Sequence, residues 1–197
     1  MTTYAWPSGG GWLPSMCSIA LKPNTREFES QYSGAYQGID LMGERFVMAL
    51  RLPAVARRDA GAREAFFNKL RGVHFVSAWH FARPQPLGTQ RGAPALSADV
   101  AQGATSLPMS SLTTSATWLA GDMLGIGGQL FQVAADVTVS GTTATVTVVN
   151  RARAGLSSGA NVTWDRPTAE WRLTAPVVVS HVPGLVEPID LDLVQVW

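Results

Sequence analysis

Charge is what this 197-residue sequence has least of: Lys, Arg, Asp and Glu together make up 15% of it, against about 25% in an average soluble chain. A surface so poor in charge is either dressed in Ser, Thr and Gly or covered by other subunits. The 15 basic and 14 acidic residues nearly cancel, to a net charge of +1. No global field therefore draws the chain to nucleic acid or to an anionic membrane. The single cysteine, Cys17, excludes an intramolecular disulfide and fits a reducing compartment. No apolar run approaches the roughly 20 residues of a membrane helix. No basic segment leads into an apolar one at the start of the sequence, so the expectation is a chain without a signal peptide, made and assembled in cytoplasm.

What the sequence does have is β pattern. After an irregular Trp/Gly/Pro-rich lead-in (Met1 to Pro14), Cys17 to Lys22 reads as a short strand stopped by Pro23-Asn24. Ile39 to Met42 reads as another, with a turn at Gly43-Glu44. Phe46, Met48, Leu50 and Leu52 then alternate with Arg45, Val47, Ala49 and Arg51, the period of a half-buried strand. One helix is expected, with Asp59 as N-cap and Gly72 just past its end. Ala62, Ala65, Phe66 and Leu70 form its apolar stripe, and Lys69 and Arg71 sit where the helix dipole favours cations. Val73 to His80 reads as a strand showing Val73, Phe75 and Trp79 on one face.

Residues 82–105 are dense in Pro, Gly and Ala and mark a loop or domain junction. Beyond them come short strand candidates: Leu124–Ile126, Leu130–Val133, Val137–Val139, Ala144–Val149, Val162–Trp164 and Trp171–Leu173. Gly127-Gly128 and Ser140-Gly141 supply hairpin turns. Ile189 to Trp197 reads as a final strand, with Asp190 and Asp192 on one face. The expected architecture is mainly β: a belt-like β-sandwich with one packed helix (residues 1–104), a small antiparallel barrel or sandwich inserted at 105–174, and a return strand (175–197) that completes the first domain.

The candidate chemistry is thin. Gly155-Leu156-Ser157-Ser158-Gly159 spells a nucleophile elbow, with Asp165 and His181 following in order. That mechanism needs a helix after the serine, whereas Asn161 to Trp164 reads as a strand, so a β-turn is the better reading. His74 and His80 share a strand parity but lie about 20 Å apart, too far to share a metal. Asp190 and Asp192 are about 7 Å apart on one strand, a placement that suits edge protection better than acid–base work across a cleft. Arg57, Arg58, Arg63, Lys69 and Arg71 read as the helix's solvated face, with a face toward a nucleic-acid conduit or an acidic neighbour as the alternative. No catalytic residue, metal or cofactor is expected. Trp6, Trp12, Trp118, Trp164, Trp171 and Trp197 divide between core aromatics and interface anchors. A carbohydrate-binding module in host-surface recognition, stacking sugars on Trp118, Trp164 or Trp171, is the alternative function.

Two stretches resemble proteins of long-tailed bacteriophages. Asn24–Phe28, then Gly43–Phe46, then a helix ending Lys69-Leu70-Arg71-Gly72 before Phe75, is similar to the belt portion of distal tail and minor tail proteins of the tail-tip baseplate. Ala120-Gly121-Asp122, Gln129–Val133 and Ala144–Val149, with Arg166-Pro167-Thr168 and Trp171–Leu173 as exit strand, resembles a β module of phage structural proteins. The resemblance implies a virion protein that copies itself into a ring, a hexamer or a trimer. That ring would contact the tail tube, the tape measure and the tip hub, with DNA passing through it but not specifically bound, and with no membrane partner. It implies no catalytic residues.

Overall fold

A computed structural model describes residues 1–196; the expected interface anchor Trp197 lies outside the described residues. The first part of the chain forms β1 (Thr3–Ala5), β2 (Met16–Glu29), β3 (Tyr36–Leu52), β4 (Val55–Ala56), α1 (Arg57–Leu70) and β5 (Phe75–Ala78). The middle forms β6 (Ala95–Leu96), β7 (Ser106–Ser110), β8 (Thr117–Trp118), β9 (Met123–Ile126), β10 (Gln129–Gln132), β11 (Val137–Thr138) and β12 (Ala144–Thr147). The chain ends with β13 (Ala169–Leu173), β14 (His181–Val182), β15 (Leu185–Val186) and β16 (Ile189–Gln195). The fold is mainly β, a sandwich with one helix, and none of its sheets closes into a barrel.

A six-stranded sheet, ordered β1-β5-β13-β16-β3-β2, is the frame. Alternation explains its inner face. Phe46, Met48, Leu50 and Leu52 of β3 and Ile189, Leu191 and Leu193 of β16 are buried, whereas Arg51, Asp190 and Asp192 point out. The final strand does return to the first domain. It pairs antiparallel with β3 from Ile189↔Leu52 to Val194↔Val47, and with β13 through Trp171↔Gln195. Asp190 meets Arg51 across that pairing at 3.7 Å, an exposed ion pair of small worth.

Helix α1 lies on the inner face, but not in the expected orientation. It starts at Arg57 after an extended Ala56 with no side-chain cap, which leaves Asp59 inside the first turn, where its charge still favours the dipole. Its buried residues are Ala60, Arg63, Phe67 and Leu70 rather than Ala62, Ala65, Phe66 and Leu70. Arg63 is therefore not on the solvated face. Its guanidinium donates to the Pro53 carbonyl at 2.7 Å and to the Gly11 carbonyl, which ties the lead-in to the helix. A buried charge is tolerable because those carbonyls take its protons. In β5 the buried side chains are Val76 and Ala78, the parity opposite to Val73, Phe75 and Trp79. Trp6 and Trp12 form an aromatic cluster with Phe66, Phe67 and Phe81 beside β1 and the helix.

The middle of the chain has its own core, running from Leu96 through Trp118 and Phe131 to Val162. The inserted unit therefore begins earlier than residue 105 and ends before residue 174. Leu96 and Val100 pack inside it, with Ala104 against its side, and β13 belongs to the large sheet. The Gly127-Gly128 turn holds as expected, both glycines taking positive φ (57° and 80°) between β9 and β10. Val162–Trp164 makes only isolated bridges, and Ala144–Val149 is a strand only as far as Thr147.

Strands this short leave backbone groups unpaired, and buried polar side chains take them up. Asp122 accepts from the backbone N–H groups of Leu87 (2.8 Å), Gly88 (3.1 Å) and Leu119 (2.9 Å). Asn150 donates to Leu130 O and accepts from Gln132 N. Gln129 bridges Arg151 O and Arg153 N. Gly88 is sterically required, because an added Cβ would sit 2.2 Å from the Thr117 carbonyl.

Candidate functional site

Antiparallel pairing of β2 with β3 runs from Met16↔Arg51 to Glu29↔Tyr36, far past the sheet's core. Neither Pro23 nor Gly43 ends its strand, as the sequence led one to expect. β2 is the outermost strand, so the N–H that proline lacks costs the ladder little. The register shift between Lys22 and Asn24 absorbs the irregularity, helped by Asn24 Nδ2 donating to the Met42 carbonyl at 3.0 Å. Gly43, at φ 118°, takes a conformation that a larger residue would resist. Beyond this point the hairpin is an arm. Residues 24–42 are exposed except Ser30, whose hydroxyl and backbone close the tip turn with Tyr32, Ser33, Gly34 and Ala35.

Pairing fixes which side chains share a face of this arm. One face carries Asn24 opposite Leu41, Arg26 opposite Ile39 and Phe28 opposite Gln37, and continues at the root as Lys22 opposite Arg45. The other carries Thr25 opposite Asp40, Glu27 opposite Gly38 and Glu29 opposite Tyr36. The arm thus has a basic, apolar face and an acidic one. Phe28 is 54% exposed, Tyr36 65% and Tyr32 fully, an unusual display for side chains of this size. Tyr36 has its phenol pKa raised by the hydrogen bond to Glu27, a cross-strand link within the acidic face.

The acidic face meets the inserted unit at the root. Arg151 pairs with Asp40, and its backbone N–H donates to Glu44 Oε1 at 2.8 Å while its guanidinium lies 3.6 Å from Glu44 Oε2. Arg151 holds the Asp40 carboxyl below its ordinary pKa by direct hydrogen bonding, and Asp40 and Glu44 raise Arg151 in return. Two residues on, Arg153 donates to Gln195 Oε1 and the Val196 carbonyl, and burial pulls its pKa down to about 10. One short segment therefore fastens the inserted unit to β3 and to the end of β16.

The tryptophans are mostly core. Trp118 and Trp171 are fully buried and Trp6 is 7% exposed, so these are not interface anchors and offer no face to a sugar. Trp171 Nε1 donates to Ala78 O, whereas Trp118 Nε1 is buried without a partner. Trp12 is half-buried in the aromatic cluster, and Trp164 is half-buried with Arg91 over its ring at 5.0 Å. Among the described residues the exposed aromatics are Phe28, Tyr32 and Tyr36, all on the arm.

Ser157 sits in an exposed turn. Asp165 accepts from Gln85, and His181 pairs with Glu64, so the partners a nucleophilic serine would need are engaged elsewhere. Cys17 Sγ lies 4.0 Å from His80 Nδ1, a pair not visible from spacing. Burial raises the thiol's pKa and lowers that of the imidazole, with Arg83 adding to the latter, so both stay neutral near pH 7 and no thiolate forms. His80 Nδ1 already accepts from Arg83 N at 3.2 Å. Among the described residues no group of three or more His, Cys, Asp or Glu side chains could hold a metal. Compared with known proteins, the chain matches no family model and no curated sequence.

Proposed function

We propose that this chain is a non-enzymatic structural component of the tail of a long-tailed bacteriophage, part of a tail-tip or distal tail ring that joins the tail tube to the hub or fibres. The observation that carries the assembly part of this reading is the arm. A body with two packed cores extends a hairpin that shows Phe28, Tyr32, Tyr36, Ile39 and Leu41 to solvent and is braced at its root by Arg151. Display of this kind suits a surface that is covered in use. The tail part rests on the residues that resemble tail-tip proteins: Asn24–Phe28 falls on the arm, Gly43–Phe46 on β3, and Lys69–Gly72 at the end of α1. Mass spectrometry of purified phage tails, with antibody labelling in electron micrographs, tests it. The chain is expected at the tip in fixed stoichiometry, and its absence from intact tails would overturn the reading.

A further inference from the structure

The two faces of the arm are opposite in charge, and that difference selects an occupant. We propose that the arm of one copy lays its Arg26–Phe28–Ile39–Leu41 face on the Glu27–Glu29–Tyr36 face of the next copy, a head-to-tail contact between identical chains. This deepens the assembly reading and rests on it.

The exposed face with Phe28, Ile39 and Leu41 offers apolar area, and Arg26 sits among these three. An isologous contact of that face with itself would bring two Arg26 charges into one interface that holds no acidic partner for them. The acidic face against itself would gather Glu27 and Glu29 of both copies with no basic partner. Like charges gathered without a partner are destabilising in both cases. Stacking front on back instead sets Arg26 against Glu27 and Glu29, and the Phe28 ring against Tyr36. The acidic face is free for this only toward its tip, because Asp40 and Glu44 at its root are engaged by Arg151. That places the contact at the distal end, where Tyr32 and Tyr36 are most exposed. A heterologous contact of this kind closes into a ring when its rotation allows and otherwise propagates as a filament.

Charge reversal of the full-length chain, read by sedimentation and native mass spectrometry, tests the polarity. Arg26→Glu alone, and Glu27→Lys with Glu29→Lys, are each expected to weaken self-association at least about tenfold. Mixing the two variants is expected to restore it, because each then presents the charge the other lacks. The triple reversal in one chain is expected to assemble like the wild type. Thermal midpoints measured where every chain is dissociated should stay unchanged, since the altered side chains are exposed in the monomer. A wild type that stays monomeric at every soluble concentration overturns the proposal, as does normal assembly of the Glu27→Lys, Glu29→Lys chain, which a contact that leaves the acidic face out would give. These outcomes are independent of whether the chain is found in tails. Presence in tails with unaffected reversal variants would sink the arm contact alone, and absence from tails with charge-dependent assembly would sink the tail reading alone.

Discussion

The β9–β10 hairpin and the β2–β3 arm both carry large apolar side chains, and these meet opposite fates. Leu124, Ile126, Leu130 and Phe131 are completely buried, while Phe28, Ile39 and Leu41 stand in solvent. Both are antiparallel pairs with ordinary ladders. What differs is the surroundings: β9 and β10 have Trp118, Val133 and Val162 packed around them, whereas residues 24–42 of the arm are exposed apart from Ser30. Burial follows what the topology brings to a strand's faces, and composition goes with it: the arm carries Arg26, Glu27, Glu29 and Asp40, whereas β9 and β10 carry no charged residue. A two-stranded ribbon alone is marginal in water. The arm borrows its order from the root, where β2 and β3 continue into the six-stranded sheet and Arg151 clamps Asp40 and Glu44.

The contrast breaks most severely if the core of the inserted unit is removed. Trp118→Ala takes away a fully buried indole and should cost about 3–5 kcal/mol in urea unfolding. Asp122→Ala comes next. It strips the acceptor from Leu87, Gly88 and Leu119 N–H groups and should cost at least about 2 kcal/mol by the same measurement, with loss of order in the 82–94 connection. A cost below that of an ordinary surface substitution would mean that water replaces the carboxylate, and that short strands here need no side-chain acceptors.

Which parts of this were legible in the sequence follows from where burial is one-sided. β3 from Phe46 onward and β16 alternate cleanly because each has one wet face, so their strands and the return of the last one to the first domain could be read directly. The arm could not. With both faces in solvent, no selection for alternation acts on residues 24–42, and Pro23 and Gly43 then look like strand ends. The helix orientation is not legible in the sequence because a buried arginine breaks the apolar stripe: Arg63 faces inward only because the carbonyls of Gly11 and Pro53 wait there, and both come from elsewhere in the chain. For the candidate site, the charge segregation depends on register, Glu27 facing Gly38 and Arg26 facing Ile39, which no one-dimensional pattern reports. Asp122 follows Gly121 in the sequence, but two of the three amides it accepts from, those of Leu87 and Gly88, lie over thirty residues earlier.

A smaller effect is expected from pH at the arm's root. Arg151 depresses the Asp40 pKa, so its contribution is fully present above the ordinary Asp value of about 3.9 and is lost as pH falls through the lowered folded value. Hydrogen exchange at Leu41 to Gly43 should therefore accelerate in acid beyond the intrinsic rate. Asp40→Asn should abolish that extra pH dependence while leaving exchange in β9 and β10 unchanged. Equal acceleration in both hairpins would show that acid loosens the whole chain rather than the clamp.

The smallest effect on stability should come from the arm's own apolar side chains, and this sharpens the comparison most. Phe28→Ser exposes nothing that is not already exposed, so unfolding free energy should move by no more than about 0.5 kcal/mol. The matching change in the other hairpin, Phe131→Ser, should cost several times as much, since it leaves a cavity and buries a hydroxyl. A Phe28→Ser chain that unfolds like the wild type but no longer self-associates would assign that ring to assembly. If it instead loses as much stability as Phe131→Ser, the ring is packed within the monomer in solution, and the arm is folded back rather than extended.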